Sequence, residues 1–176
     1  MRVVVTGAAG FIGGHVARAL AGAGHEVLAV DALERNAAPA VARATWTALA
    51  RHPGITLAET DLAVDDLAEV ARAGVIVHLA GRPGVRSSFG PGEAATERDN
   101  VTATGRLLAA CAGHRPRIVV ASSSSVYGPA SDRPHRESDA TRPASPYARR
   151  SATRSKREWT TTPSVRRSRG RISHRV

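Results

Sequence analysis

The segment TGAAGFIG, residues 6–13, restricts the fold of this chain more than any other feature of its sequence. Its glycines, Gly7, Gly10 and Gly13, follow a G-x-x-G-x-x-G spacing between the β-branched run RVVVT and an apolar stretch with helical periodicity. The first glycine permits a tight turn, the second lets backbone approach a pyrophosphate, and the third lets the helix pack closely on the strand. Three glycines alone often mark only a turn. Their place between the first strand and the first helix predicts a dinucleotide-binding unit, because a helix N-terminus attracts the anion.

Strand-like and helix-like patterns alternate through the first 150 residues. Short β-branched runs predict strands at RVVVTG, HEVLAVD, ITLAETD, VIVHLAG and RIVVASS. Helical spacing predicts helices within FIGGHVARALAGAG, from Pro39 to about His52, over VDDLAEVARAG, over AATERDNVTATGRLLAACAG and from Pro146 onward. Strands that alternate with helices form βαβ crossovers, so we expect an α/β fold with a parallel sheet of about five strands.

The positive charge of the chain is concentrated at its C-terminal end. Residues 1–148 carry 15 Arg and 14 acidic residues, whereas residues 149–176 carry nine Arg and Lys156 against Glu158. This contrast predicts a domain over residues 1–150 and a basic, disordered tail over residues 151–176. The domain is nearly neutral and the tail has Trp159 as its single aromatic residue, so the overall charge of +10 does not favour a nucleic-acid partner.

The sequence gives no sign of a membrane or export segment. No stretch approaches the roughly 20 apolar residues that a membrane span needs, and the run VVV leads into glycines instead of the long apolar region of a signal peptide. The single cysteine, Cys111, lies in the apolar stretch LLAACA and is expected to be a small buried side chain. These features predict a cytoplasmic protein. No His, Cys or acidic cluster has metal-ligand spacing, so no metal site is predicted.

Asp31 ends the second predicted strand, 18 residues beyond Gly13. A carboxylate at this place accepts hydrogen bonds from an adenosine ribose and repels a 2′-phosphate, so it favours NAD over NADP as the cofactor. A helix N-cap or a solvated strand end is the alternative interpretation of Asp31. Arg35, close by in the sequence, weakens the preference for NAD.

Six motifs, in the same order, resemble those of the extended short-chain dehydrogenase/reductase family in its NAD-dependent nucleotide-sugar epimerase/dehydratase branch. They are TGAAGFIG, TDL at 60–62, HLAG at 78–81, DNVTATGRLLAACA, ASSSSVYG and SPY at 145–147. The resemblance covers about residues 1–148, and it implies a Rossmann-type doubly wound parallel sheet with NAD as the cofactor. The residues that it assigns to the cofactor are Gly7, Gly10, Phe11, Ile12, Gly13, Asp31, Asp61, Leu62, Leu79, Ala80, Gly81 and Asn100.

The same resemblance implies the reacting groups. Tyr147 matches the tyrosine that removes a sugar hydroxyl proton while hydride passes to NAD, and Ser123, with Ser124 as the alternate, matches the hydroxyl that orients the same oxygen. Dehydratases of this family place Asp and Glu where this chain has Ser124 and Ser125. A nucleotide-sugar 4-epimerase is therefore favoured over a dehydratase, with a nucleotide sugar as the substrate.

The loop AGRPGVRSSFG, residues 80–90, resembles the AGVR loop of uronate-type 4-epimerases. Arg82 or Arg86 is a candidate contact for a substrate carboxylate or phosphate, because guanidinium groups bind such anions in a bidentate manner. A solvated loop arginine is the alternative interpretation. His78, in the HLAG motif, is expected to be a packed residue at a strand end and not a catalyst.

The helix that begins at Pro146 lacks the lysine that the family places one turn after its tyrosine, and Ser151 stands there instead. Lys156, at i+9, is rotated by about 180° and lies roughly 13.5 Å along the axis, so it points away from Tyr147. Arg150, at i+3, stays near the tyrosine's face, but a guanidinium is a poor match for ribose hydroxyls. We therefore expect impaired activity. A catalytically silent NAD-binding module, or a dehydratase or reductase of the same family, is the alternative.

The resemblance ends near Ala148, before the last strands of the sheet and the C-terminal lobe that holds the nucleotide sugar. The Arg- and Ser-rich stretch that follows suggests early truncation or a shifted reading frame. The fifth strand is then expected to be an exposed apolar edge. Family members often dimerise through the two helices that flank this strand, so a homodimer is an open expectation.

Overall fold

The computed structural model describes residues 1–129 and 133–161, with side chains of the last helix described as far as Thr153. Five strands and six α-helices alternate in these ranges. They are β1 (Arg2–Thr6), α1 (Phe11–Gly22), β2 (Glu26–Asp31), α2 (Pro39–Ala50), β3 (Ile55–Glu59), α3 (Ala68–Ala71), β4 (Val75–His78), α4 (Gly92–Glu97), α5 (Ala103–Cys111), β5 (Arg117–Val120) and α6 (Pro146–Thr161). Single 3₁₀ turns cover 33–35, 86–88 and 124–127, and a π-helical turn, Arg98–Thr102, joins α4 to α5.

All five strands form one parallel sheet in the order β3-β2-β1-β4-β5. In the register of the central strand, Val5 lies opposite Ala29 of β2 on one side and Val77 of β4 on the other. The chain winds from β1 outward to β3, then crosses back to β4 and β5. This is the predicted doubly wound Rossmann-type sheet. Its winding direction reverses between β1 and β4, which places a crevice at their carboxyl ends.

The sheet is covered on both faces, which explains why its strands are apolar without alternation. Successive residues of β1 point to opposite faces, so Val4 packs in a cluster with Leu107 of α5, while Val5 packs in a cluster with Ala17 of α1 and Leu49 of α2. The predicted burial of the cysteine is confirmed. Cys111 lies in the first cluster, and burial raises the pKa of its thiol to about 11.

Three predicted elements differ in extent from those in the structure. The helix predicted over VDDLAEVARAG is only the single turn α3, because the preceding aspartates hydrogen-bond backbone amides instead: Asp61 accepts from Ala63 and Asp66 from Ala68. The long helix predicted before Cys111 is interrupted by the π-helical turn. Helix α6 continues to Thr161, so the boundary predicted at residue 150 falls inside a helix, while residues 162–176 of the predicted tail lie outside the described residues.

Strand β5 is one edge of the sheet formed by the described residues, as expected. Its Val119 side chain is 48% exposed. An unpaired apolar strand of this kind is a surface on which another chain can add.

We predict that Gly13→Ala destabilises the fold by about 2–3 kcal/mol, because a methyl group there overlaps backbone. A Cβ on Gly13 would lie 2.7 Å from the carbonyl carbon of Gly7 and 2.9 Å from the Cα of Ala8. Gly22, on the same helix, is the matched control: a Cβ there meets nothing within 4 Å, so Gly22→Ala should stabilise the protein by about 0.5 kcal/mol. Urea unfolding of both variants measures the difference, and equal free energies of unfolding would refute the close contact.

Candidate functional site

The turn after β1 brings the N-terminus of α1 against the end of β4. Gly7 adopts φ +72°, a conformation that favours glycine, and a Cβ on it would lie 2.7 Å from the Ala80 amide nitrogen. The turn is closed by the Gly10 amide, which donates to the Gly7 carbonyl at 3.1 Å. The first amides of α1 have no acceptor within the helix. They are the donors that this helix can offer to an anion.

A cleft of about 430 Å³ opens at the carboxyl ends of β1, β2 and β4. Eight of the predicted cofactor residues line it: Gly7, Gly10, Asp31, Asp61, Leu62, Leu79, Ala80 and Gly81. The other four, Phe11, Ile12, Gly13 and Asn100, do not line it. Phe11 and Ile12 lie on the outer face of α1, where they are 83% and 63% exposed to solvent. Their predicted contact with a cofactor therefore has to come from backbone amides.

Asp31 closes the cleft at the end of β2. Its Oδ2 accepts a hydrogen bond from the Ala9 amide at 2.9 Å, which ties the carboxylate to the glycine turn. Burial raises the pKa of Asp31 above its ordinary value of 3.8, and the neighbouring Glu59 adds to the increase, while hydrogen bonds from the Ala9 and Ala32 amides oppose it. The remaining lone pairs of this carboxylate are available to hydroxyl donors in the cleft.

A buried chain of hydrogen bonds ties β1, β4 and α5 together behind the cleft. Thr104 donates to the Asn100 carbonyl oxygen at 2.9 Å, so its hydroxyl accepts from His78 Nε2, also at 2.9 Å. On the other side, the Ala80 amide donates to Thr6 Oγ1 at 3.2 Å, and that hydroxyl donates to His78 Nδ1 at 2.7 Å. The directions of these bonds assign the His78 proton to Nε2. His78 is fully buried, so the prediction of a packed residue is confirmed.

Asn100 braces the loop that follows β4. Its Oδ1 accepts from the Arg82 amide at 2.6 Å, and its Nδ2 donates to the Arg82 carbonyl oxygen at 3.0 Å. Both ends of the amide side chain are therefore engaged by one backbone residue. In the structure Asn100 fixes the wall of the cleft at Gly81 and Arg82.

Five charged residues form a network along one rim of the cleft, which we call the rim network: Arg35, Asp61, Arg82, Arg98 and Asp99. Burial alone would raise the pKa of Asp61, but the hydrogen bonds from the Arg98 guanidinium and the Ala63 amide, together with the nearby guanidinium charges, lower that pKa below 3.8. The bond to Asp61 also raises the pKa of Arg98. Sequence reasoning singled out Asp61, Arg82 and Arg35 separately. It missed Asp99, two of whose three guanidinium partners, Arg82 and Arg35, are 17 and 64 residues away in the chain.

The candidate reacting residues lie beyond the cleft, around the N-terminus of α6. Ser123 caps the 3₁₀ turn at 124–127, accepting from the Ser125 amide at 3.2 Å and donating to the Ser125 hydroxyl at 3.1 Å. Helix α6, which begins at Pro146 and carries Tyr147 in its first turn, packs against this turn. No hydrogen bond between Ser123 and Tyr147 is present among the described residues. Ser124 and Arg86 are exposed and lie outside the lining of the cleft.

The residues after Tyr147 fasten α6 to the domain. Ser151, at the position where the family has lysine, is buried. Arg150 donates to Glu97 at 2.6 Å and to Glu93 at 3.0 Å, both on α4. The guanidinium of Arg150 is thereby held against α4.

Within residues 1–129 and 133–161, no helix combines the length and hydropathy that a membrane crossing needs. No group of three or more His, Cys, Asp or Glu side chains in these ranges is placed to hold a metal ion.

Comparisons with known proteins agree on one family. Residues 3–161 match the sequence profile of the NAD dependent epimerase/dehydratase family. UDP-glucuronate 4-epimerase 3 of Arabidopsis thaliana is 39% identical over 153 residues, which are 83% of this chain and 35% of that protein. The probable UDP-glucuronate 4-epimerase of Rhizobium meliloti (strain 1021) is 35% identical, over 84% of this chain and 45% of that protein.

Solved structures give the same result. The UDP-glucuronic acid 4-epimerase from Bacillus cereus in complex with UDP-glucuronic acid and NAD superposes with a TM-score of 0.82 at 30% identity, over 89% of this chain and 50% of that one. MoeE5 in complex with UDP-glucose and NAD gives a TM-score of 0.73 at 37% identity, over 89% of this chain and 47% of that one. The chain thus spans half or less of the length of each of these proteins.

We predict that Ser88→Ala destabilises the protein by about 1–3 kcal/mol, because Ser88 is a buried link between the loop after β4 and α6. Its hydroxyl donates to the Val85 carbonyl oxygen at 2.7 Å and accepts from the Tyr147 amide at 3.1 Å. Ser87, next to it, is exposed, and among the described residues its hydroxyl makes a single long hydrogen bond, to the Gly84 carbonyl oxygen at 3.4 Å, so Ser87→Ala should change stability by less than about 0.5 kcal/mol. Urea unfolding compares the two variants. An equal effect would contradict the proposed link.

Proposed function

Because this chain belongs to the NAD dependent epimerase/dehydratase family, we propose that its described residues form the NAD-binding unit of a UDP-sugar 4-epimerase. The observation that carries the proposal is the single cleft that joins the Gly7 turn, the N-terminus of α1 and the Asp31 carboxylate. A pyrophosphate needs the first two, and an adenosine ribose needs the third. Two similar proteins whose structures were solved in complex with NAD support the choice of cofactor.

The residues of the cleft suit the parts of a dinucleotide in order. The α1 N-terminus would hold the pyrophosphate and Asp31 the ribose hydroxyls, with Asp61 and Leu62 beside the adenine. Leu79, Ala80 and Gly81 continue the wall in the direction of α6. The partly buried Asp31 carboxylate would repel a 2′-phosphate, which supports NAD as the cofactor and not NADP.

The proposed chemistry uses Ser123 and Tyr147. A bound nicotinamide would accept a hydride from the sugar carbon and later return it to that carbon. Tyr147 would accept the proton of the hydroxyl on that carbon, and the Ser123 hydroxyl would orient the same oxygen. The 3₁₀ turn after Ser123 offers serines at 124 and 125 and no carboxylate for the elimination of water, so epimerisation is favoured over dehydration.

Position 151 limits this activity. Tyrosine is a poor base at neutral pH unless a nearby cation favours the phenolate. Ser151 supplies no charge, and Arg150 is engaged by Glu93 and Glu97 on α4. A slow epimerase is therefore the first proposal. A silent NAD-binding module is the second, and the serine at 151 is the observation that favours it.

A UDP-sugar substrate is proposed from the relatives alone. Proteins similar to this chain are named as UDP-glucuronate 4-epimerases or were solved with UDP-glucuronic acid or UDP-glucose. Arg86, exposed in the 3₁₀ turn at 86–88, would be the contact for a uronate carboxylate. A homodimer through the helices that flank β5 stays a prediction.

The proposal predicts that the full chain binds NAD⁺ or NADH with a Kd below about 1 mM, because the cleft offers donors for the pyrophosphate and acceptors for the ribose. Isothermal titration calorimetry measures the affinity, and incubation of the loaded protein with UDP-glucuronate, followed by chromatography of the C4 epimers, measures turnover. Slow turnover supports the epimerase, and binding without turnover supports the silent module. A folded protein that ignores both dinucleotides at millimolar concentration would refute both.

We predict that the affinity for NAD⁺ falls as the pH is lowered into the acidic range, because the ribose needs the ionised form of Asp31. Its pKa is raised above 3.8, so protonation begins at a higher pH than for an exposed aspartate. Asp31→Asn should lower the affinity about tenfold at neutral pH and flatten the pH profile. Asp139→Asn, the same change in an exposed ion pair with Arg133, should keep the profile of the unaltered protein. A profile that is the same with and without the Asp31 carboxylate would exclude this role.

A further inference from the structure

One carboxylate, Asp99, holds three guanidinium groups at the rim of the cleft. Its Oδ2 accepts from Arg82 Nε at 2.8 Å. Its Oδ1 accepts from Arg98 Nη1 at 2.9 Å and from Arg35 Nη2 at 3.4 Å. The Asp99 side chain is 13% exposed, so these contacts form in a partly desolvated place where charge interactions are stronger than in water.

The π-helical turn places Asp99 in the rim. Three successive residues of this turn contact segments that line the cleft: Arg98 contacts Asp61, Asp99 contacts Arg82, and Asn100 contacts the Arg82 backbone. In a regular α-helix three successive side chains point about 100° apart. In the π-helical turn all three residues nevertheless reach segments that line the cleft, and turns of this kind are frequent at functional sites.

Arg35 lies beside the place proposed for the adenosine ribose. It ends the 3₁₀ turn that follows β2, four residues after Asp31, and both residues line the cleft. A phosphate on the 2′ oxygen of that ribose would meet the Asp31 carboxylate and the Arg35 guanidinium together. Whether the cleft accepts such a phosphate therefore depends on whether Arg35 is available to it.

We propose that Asp99 is a specificity-determining residue, which holds Arg35 at the rim and so keeps the cleft selective for a ribose 2′-hydroxyl over a 2′-phosphate. This inference rests on the proposed NAD-binding function. Asp99 acts through Arg35 and is a positioning residue. The Arg82 and Arg98 contacts fix the carboxylate, while the longer contact to Arg35 is the one that a competing phosphate can replace.

The test compares the Kd values for NADP⁺ and NAD⁺ in the full chain, expressed as their ratio. Asp99→Asn keeps the size of the side chain but removes its charge, which frees Arg35 for a phosphate. The ratio should fall about tenfold, with the Kd for NAD⁺ changed less than about threefold. Asp99→Asn combined with Arg35→Gln should restore the ratio, and the matched control Asp139→Asn should leave it unaltered.

Arg35→Gln alone gives a second, independent readout, because it does not disturb the centre of the rim network. If Asp99 withholds Arg35, this variant changes the ratio less than about threefold. A larger rise in the ratio would show that Arg35 already serves a 2′-phosphate and would overturn the inference.

The outcomes separate this inference from the proposed function. Tight NAD⁺ binding with a ratio that does not respond to Asp99→Asn overturns the role of Asp99 and leaves the proposed function standing. A folded protein that binds neither dinucleotide overturns both.

Discussion

The close approach between the turn after β1 and the end of β4 is the constraint on which the rest of this structure depends. Gly7 comes so near the Ala80 amide that no side chain fits between them. Directly beneath, the Thr6 hydroxyl accepts a hydrogen bond from the Ala80 amide and donates one to the buried His78. Because β1 and β4 are the strands between which the winding of the sheet reverses, this contact sets the width of the crevice. It also directs the N-terminus of α1 into that crevice.

The charged side chains around the cleft are paired with other groups of the domain. The Asp31 carboxylate is held by the Ala9 amide in a partly buried place that raises its pKa, whereas the Asp61 carboxylate is held by Arg98, which lowers its pKa. Two aspartates at the ends of neighbouring strands thus have opposite shifts in pKa for identifiable reasons. The rim network places three guanidinium groups beside the proposed anion-binding site, where Asp61 and Asp99 offset two of their three charges. This is the arrangement by which we propose that the cleft admits a dinucleotide and discriminates between ribose substituents.

Helix α6 is anchored to the domain by contacts that the sequence motifs of the family do not predict. The Tyr147 amide is bound by Ser88, and Arg150 joins the helix to α4 through two glutamates. These contacts fix the tyrosine's helix even though the lysine of the family is replaced by the buried Ser151. The contacts that attach the helix are therefore separate from the group that would activate the tyrosine. The attachment is present in this chain, whereas the lysine that activates the tyrosine in the family is not.

The sequence by itself determined the parallel sheet, the glycine turn and Asp31, because each depends on residues that are close in the chain or on a simple period of apolar residues. It also indicated Cys111 and His78 as packed residues, and the structure confirms both. Only the tertiary structure decided the roles of Asp99, Ser88 and Asn100. Each of these residues has a hydrogen-bond partner that lies 17 or more residues away, on another element. A local pattern shows which face of a strand or helix is buried, but hydrogen bonds between distant polar side chains exist only after the sheet and its crossovers have brought those side chains together.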